Sequence, residues 1–428
     1  MPNEETVPSS QTDSEPNSVS AMTRRAMLLS GTALAVGFAF WLPTGKAGTE
    51  IAPMMRIDLA KDPANGQWTR SFSGRAAPAD VLHDPNTGST VRVRDLFPNR
   101  NDPFAINDRL QLGEGGYRLR TPDRARMGLA PGRNHNSWAM NMIPFGIMLD
   151  GSILDPSGPW YGGGPADPNN PFDRACTGWE YEVMHPTVSQ LVGVPAVIAG
   201  HVQPSGMFHY HGYPRLLISE LKKQASGKGL GSGPLLVGFS ADGFPVLDFS
   251  WDEGSGGRQN FRFSGYVLRT GRRQAVPFTN PAMVPPGDFD GLYVQDYVYD
   301  PGRKLKEIEE KLDRGESYFG ITRQALQSGR ASFSLLDVHN GAKFAGVEGY
   351  TGNVYSYVLT PDWPMVPRLF AYEPDDSFKK VIPLEMRRES MVARLAQTFG
   401  MGGGRRSLYD QCPAPLKSMR EWHGRPPY

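Results

Sequence analysis

The chain has 428 residues, of which 39% are hydrophobic and 11% aromatic, enough for a large core, so wholesale disorder is excluded. Its 45 basic residues balance 44 acidic ones without forming a basic stripe, which leaves no electrostatic footprint for nucleic acid. The 49 glycines and 38 prolines are spread between short aromatic and β-branched runs. That texture predicts a mostly β chain, a β-rich α+β protein with an antiparallel sandwich or barrel-like domain and a few peripheral helices.

Residues 1–47 read as a polar lead followed by an export signal. Paired arginines in Thr23-Arg24-Arg25-Ala26-Met27-Leu28-Leu29 directly precede an apolar stretch from Ala26 to Trp41, with the small residues Gly45 and Ala47 after it. This resembles a twin-arginine signal. The stretch is shorter than the ~20 residues that span a bilayer comfortably, so the expected product is periplasmic or secreted, with no stable transmembrane anchor after cleavage. Twin-arginine export carries proteins already folded, often with a metal or cofactor in place. Cys176 and Cys412 are the only thiols; an oxidising compartment permits their pairing, and two thiols cannot build a cysteine-rich zinc site.

Residues 48–130 read as irregular β, with a turn at Asp84-Pro85-Asn86-Thr87-Gly88 before Ser89-Thr90-Val91-Arg92-Val93. The main domain is expected over 131–370, with an insertion at 300–335. Within it, Arg303 to Arg314 has Leu305, Ile308 and Leu312 at helical spacing and Gly315 as a stop, which predicts an exposed, charged helix. Residues 371–428 hold a second helix, Glu385 to Phe399, and a glycine-rich tail. Gly227-Lys228-Gly229-Leu230-Gly231-Ser232-Gly233 lacks the order of a phosphate-cradling loop and reads as a linker. There is no G-x-S-x-G elbow and no H-E-x-x-H helix.

The chemistry concentrates in His201-Val202-Gln203-Pro204-Ser205-Gly206-Met207-Phe208-His209-Tyr210-His211, which holds three of the eight histidines. Pro204-Ser205-Gly206 suits a three-residue hairpin loop, since proline presets the first turn position and glycine accepts the left-handed one. That loop pairs Val202 with Phe208 and His201 with His209. Side chains alternate faces along a strand, so His209 and His211 share a face and His201 stands opposite His209 on it. Three converging imidazoles with an open position suit a divalent transition metal: zinc, copper or iron. Phe208 and Tyr210 point to the other face as core, with the Tyr210 hydroxyl free to make a structural bond.

The hairpin resembles the YHYH domain family, whose naming motif stands here as Phe208-His209-Tyr210-His211. The likeness continues in Gly178-Trp179-Glu180-Tyr181-Glu182, Ala241-Asp242-Gly243-Phe244-Pro245, Asp290-Gly291, Asp296-Tyr297 and Leu336-Asp337-Val338-His339-Asn340-Gly341, over about residues 130 to 370. Two features depart from the family pattern. A second Y-H-Y-H expected near the end of the domain is Tyr355-Ser356-Tyr357-Val358 here, and His339 replaces an expected cysteine. Such a domain implies little about function.

The residues leave open whether this is an enzyme. Further metal ligands are sought at His135 and His339, and catalytic proton carriers at Glu182 and Asp242. Asp242-Gly243 and Asp337 before Asn340-Gly341 also read as turn chemistry. Two competing functions remain. One is a non-catalytic module that binds an extracellular glycan or polymer on Trp138, Trp160, Tyr161 and Trp179. The other is a purely structural exported domain in which the histidine strand is core.

Overall fold

The computed structural model describes residues 55–378 except for the stretches 79–80, 97–110, 113–116, 133–137, 140–142, 160, 162–176, 203–206, 228–231, 254–256, 278 and 280. The twin-arginine string, both cysteines, His135, Trp160, the Pro204-Ser205-Gly206 loop, most of the glycine-rich linker and the helix expected over 385–399 lie outside the described residues, as does the side chain of Trp138.

One eight-stranded sheet organises the described chain. Its strands come as four hairpins: β1 (Gly146–Met148) with β2 (Ile153–Leu154), β3 (Gly200–Val202) with β4 (Phe208–Tyr210), β5 (Leu236–Ser240) with β6 (Pro245–Asp248), and β7 (Gly341–Phe344) with β8 (Val354–Leu359). The order across the sheet is β3-β4-β2-β1-β5-β6-β8-β7. Two contacts, β4 with β2 and β6 with β8, are parallel, and the other neighbours are antiparallel. The expected β-rich α+β class is what the chain adopts; its main sheet is mixed rather than purely antiparallel, with no closed barrel among the described residues. A parallel neighbour requires a long connection, and residues 155–199 and 249–340 supply one in each case.

The central strands are buried along their whole length: β1, β4, β5, β6 and β8 have no exposed position. Coverage of both faces turns such strands into continuous apolar runs and hides the alternation that marks a half-solvated strand. Part of the cover is helical. Helix α1 (Pro186–Leu191) buries Val188, and α2 (Arg215–Gly227) buries Leu216, Leu217 and Ile218. A smaller sheet pairs Arg56–Lys61 and Arg120–Pro122 with Trp68–Arg75, and Ile57 and Phe72 from it join the same apolar cluster as Phe145, Phe208, Tyr210, Phe244 and Tyr357. No helix of the described residues is long and apolar enough to cross a membrane.

The helix expected at 303–314 is present as α3 (Pro301–Asp313), and Asp300 caps it by accepting from the Arg303 amide. Its inner face differs from the expected one. Lys304, Ile308 and Leu312, spaced by four, are buried, whereas Leu305 is 44% exposed. Lys304 can replace a leucine there because its methylene stem packs while its ammonium reaches Asp362 at 2.7 Å. Ile308 and Leu312 pack with Phe261, Phe263, Tyr318 and Ile321 in a second apolar cluster.

Candidate metal centre

The hairpin β3–β4 has the expected register, with His201 opposite His209 and Val202 opposite Phe208. Phe208 and Tyr210 are fully buried, and the Tyr210 hydroxyl donates to Asp150 Oδ2 at 3.0 Å. The three imidazoles converge on the opposite face. Ring centroids are 4.8 Å apart for His201 and His209, 4.9 Å for His201 and His211, and 4.4 Å for His209 and His211. One nitrogen from each ring lies within 4.8 Å of those of the other two, and no other such group of histidines, cysteines or carboxylates occurs among the described residues.

Helix α1 sets the first ring. The last carbonyls of a helix have no partner inside it, and that of Val192, the C-cap, accepts from His201 Nδ1 at 2.7 Å. A carbonyl cannot donate, so the proton of neutral His201 sits on Nδ1 and the Nε2 lone pair faces inward. His201 Nε2 is 3.2 Å from His211 Nε2. Two nitrogens on one tetrahedral ion, with bonds of about 2.0–2.1 Å, stand about 3.3 Å apart. Burial pulls the His201 pKa below the usual imidazole range, against the opposing effects of the Val192 carbonyl and Asp155, so the ring favours its neutral, ligating form.

A carboxyl group that the sequence did not single out, Asp155, acts on this centre, and it acts in turn on Glu180. Asp155 follows β2 directly, its amide donates to the Tyr210 carbonyl at 2.8 Å, and its charge is felt by both His201 and Glu180. Glu180 is pushed up to about 7 by burial, with Glu182 and Asp155 adding to the shift and Arg368 and the Gly158 amide opposing it. Both lie in the long connection from β2 to β3, where no strand or hairpin spacing announces them. Behind His211, Gly212 leaves room for the thioether of Met184, whose Cγ and Sδ a Cβ would meet at 2.8 and 2.9 Å.

The remaining expected site residues have other surroundings. Glu182 accepts from Trp363 Nε1 at 2.8 Å, from Arg368 at 2.5 Å and from the Met184 amide at 3.1 Å, which makes it the buried anchor of an ion pair. Asp242 closes the β5–β6 turn and accepts from Ser240, Tyr357 and the Tyr372 amide. His339 lies just before β7, at the opposite edge of the sheet from β3; seven strand spacings of about 4.8 Å put it roughly 30 Å away. His135 lies outside the described residues. Of the aromatic residues weighed as a stacking platform, Trp179 is fully buried and Tyr161 packs edge-on against Tyr293.

Fold and site together define a β-rich α+β protein with three histidines gathered on one hairpin of a mixed sheet. The family model described as "YHYH protein" matches residues 124–329, a span that holds β1 to β6 and all three histidines, and this part of the chain is similar to that family. The tyrosine pair Tyr355 and Tyr357 lies beyond the matched span. No curated protein and no solved structure matches the chain.

Proposed function

We propose that this protein binds a divalent transition metal, zinc, copper or iron, through His201, His209 and His211, and does so after export to the periplasm or cell exterior. The observation that carries the reading is the commitment of His201 Nδ1 to the Val192 carbonyl, which aims Nε2 at a point shared with His211 Nε2, 3.2 Å away. Three imidazoles leave the fourth position of a tetrahedral ion to water or a substrate atom, the arrangement of metal sites that act on something. Asp155, whose charge acts on both His201 and Glu180, is the carboxyl group that bears on the site, and Glu180, raised to about 7, stands behind it. The export assignment rests on the twin-arginine string alone. The stacking-surface reading loses its central residue with the burial of Trp179.

The test is metal content by mass spectrometry on protein exported natively and purified without chelator or affinity tag, beside a His209→Ala/His211→Ala variant. About one equivalent of one transition metal is expected in the wild type and none in a variant whose circular dichroism is unchanged. Absence of metal from both removes the proposal.

A further inference from the structure

The strand order β3-β4-β2-β1-β5-β6-β8-β7 is unchanged when its halves are exchanged and each strand takes the place of its counterpart, β1 for β5, β2 for β6, β3 for β7 and β4 for β8. We infer that the sheet is one four-stranded unit used twice about a pseudo-two-fold axis, and that Ala342, Ser356 and Val358 are the second unit's counterpart of the histidine centre, its imidazoles replaced but its cradle kept. The metal side of this inference rests on the function proposed above.

The axis passes between Ile147 and Phe239, which face each other at the centre of the β1–β5 pair. On either side, Gly146 faces Ser240 and Met148 faces Gly238, so each contact maps onto the other. The Leu149 amide donates to Val237 at 2.9 Å, and the Ala241 amide to Phe145 at 2.7 Å. A Cβ on Gly146 would strike the Phe239 carbonyl, and a Cβ on Gly238 the Ile147 carbonyl. Both hairpins then turn alike. The Gly151 amide donates to Met148 and the Gly243 amide to Ser240, each at 2.9 Å, with φ of 84° and 95° at the two glycines.

The parallel contacts agree to the residue. Tyr210 faces Leu154, and Tyr357 faces Val246, each partner being the fourth residue after the aspartate of its Asp-Gly turn. Each tyrosine hydroxyl donates to that aspartate, Tyr210 to Asp150 at 3.0 Å and Tyr357 to Asp242 at 2.7 Å. In the outer hairpins Gly200 faces Tyr210 and Gly341 faces Tyr357. The residues before those glycines, Ala199 and Asn340, both have positive φ, 56° and 58°, and their carbonyls accept from the His211 and Val358 amides at 2.8 and 2.9 Å. A slip of one residue in any strand would turn its side chains to the other face and destroy the agreement.

The equivalence carries His201 onto Ala342, His209 onto Ser356 and His211 onto Val358. Burial follows it: His201 and Ala342 are half-buried, and the other four are buried. The units differ in what seats the first ring. The first supplies the Val192 carbonyl at the end of α1, whereas the second enters β7 through a turn in which Asp337 accepts from the His339 and Gly341 amides.

The test restores the site in the full chain as Ala342→His/Ser356→His/Val358→His and titrates it with Co²⁺, whose visible bands report tetrahedral nitrogen ligation. One equivalent is expected in the wild type and two in the variant. The second should bind about 10–100-fold more weakly, because it lacks the carbonyl behind its first ring. A folded variant that still takes one equivalent overturns the inference while leaving the proposed function standing. The converse variant, His201→Ala/His209→Ser/His211→Val, places the second unit's residues in the first and settles the matter where the forward variant does not fold. It should fold with an unchanged circular dichroism spectrum and melt within about 5 °C of metal-free wild type; its failure to fold overturns the equivalence. A wild type that takes no cobalt defeats the metal reading alone, and the converse variant still decides the equivalence.

Discussion

Tyr210 and Tyr357 show what one hydroxyl does in this sheet. Each phenol is buried and ends on a buried carboxyl, Asp150 or Asp242, which the turn glycine beside it leaves close to the neighbouring chain. Removing the hydroxyl strands the acceptor, at a cost of about 1–3 kcal/mol. Tyr210→Phe and Tyr357→Phe should each lower stability by that amount in urea unfolding of the metal-free protein, with the metal content of Tyr210→Phe unchanged. A neutral effect would mean that the aspartates are satisfied by their other partners. Alternation along a strand made the three imidazoles and the inward Tyr210 legible from the sequence, because a hairpin is local. Asp155, Glu180 and the Val192 carbonyl were not legible, since the long β2–β3 connection that carries all three has no hairpin register to place them. The inner face of α3 was only partly legible: residue type favoured Leu305, and the partner that lets Lys304 take its place, Asp362, lies far along the chain.

At the scale of elements, the two central strands approach so closely that only hydrogen fits between backbone and backbone. Gly146 and Gly238 occupy equivalent points there, and an added methyl would strike a carbonyl held in a ladder, which cannot move aside like the end of a flexible side chain. Gly146→Ala and Gly238→Ala should each cost about 1–3 kcal/mol or more. Gly132→Ala, where the methyl meets nothing within 4 Å, serves as the control and should be close to neutral. Differential scanning calorimetry of the three variants checks this, and equal melting temperatures would place the strands farther apart than described. The repeat behind this symmetry was present in the letters, since Gly146 to Gly151 and Gly238 to Gly243 both read G-x-x-x-D-G. Either string alone is ordinary turn chemistry. Only the strand register shows them to be one device used twice, and full burial removes the alternation that would have marked the strands beside them.

Across the whole molecule, buried acids set a pH dependence opposed to that of the metal. Burial raises Asp150 to about 6 and Glu180 to about 7. In the unfolded chain such groups titrate near 3.9 for Asp and 4.3 for Glu. A native pKa above the unfolded one means that the native state binds the proton more tightly. Stability is therefore greatest below about pH 4 for these two groups and falls as pH rises through 6 to 7. Asp84 acts in the other sense. Its hydrogen bond from Arg215 holds it down to about 2, so its contribution is present above pH 4 and lost as pH falls toward 2. The metal-free protein should melt highest near pH 4 to 5 and progressively lower toward pH 8. Ligation requires neutral imidazoles, and the metal-induced rise in melting temperature should instead grow from pH 5 to 7 as the histidines lose their protons. Thermal melts of chelated and metal-loaded protein at unit steps from pH 4 to 8 measure both trends. A metal-free profile that climbs toward neutrality would contradict the raised carboxyl groups. A gap between the two curves that does not widen with pH would contradict ligation by histidine.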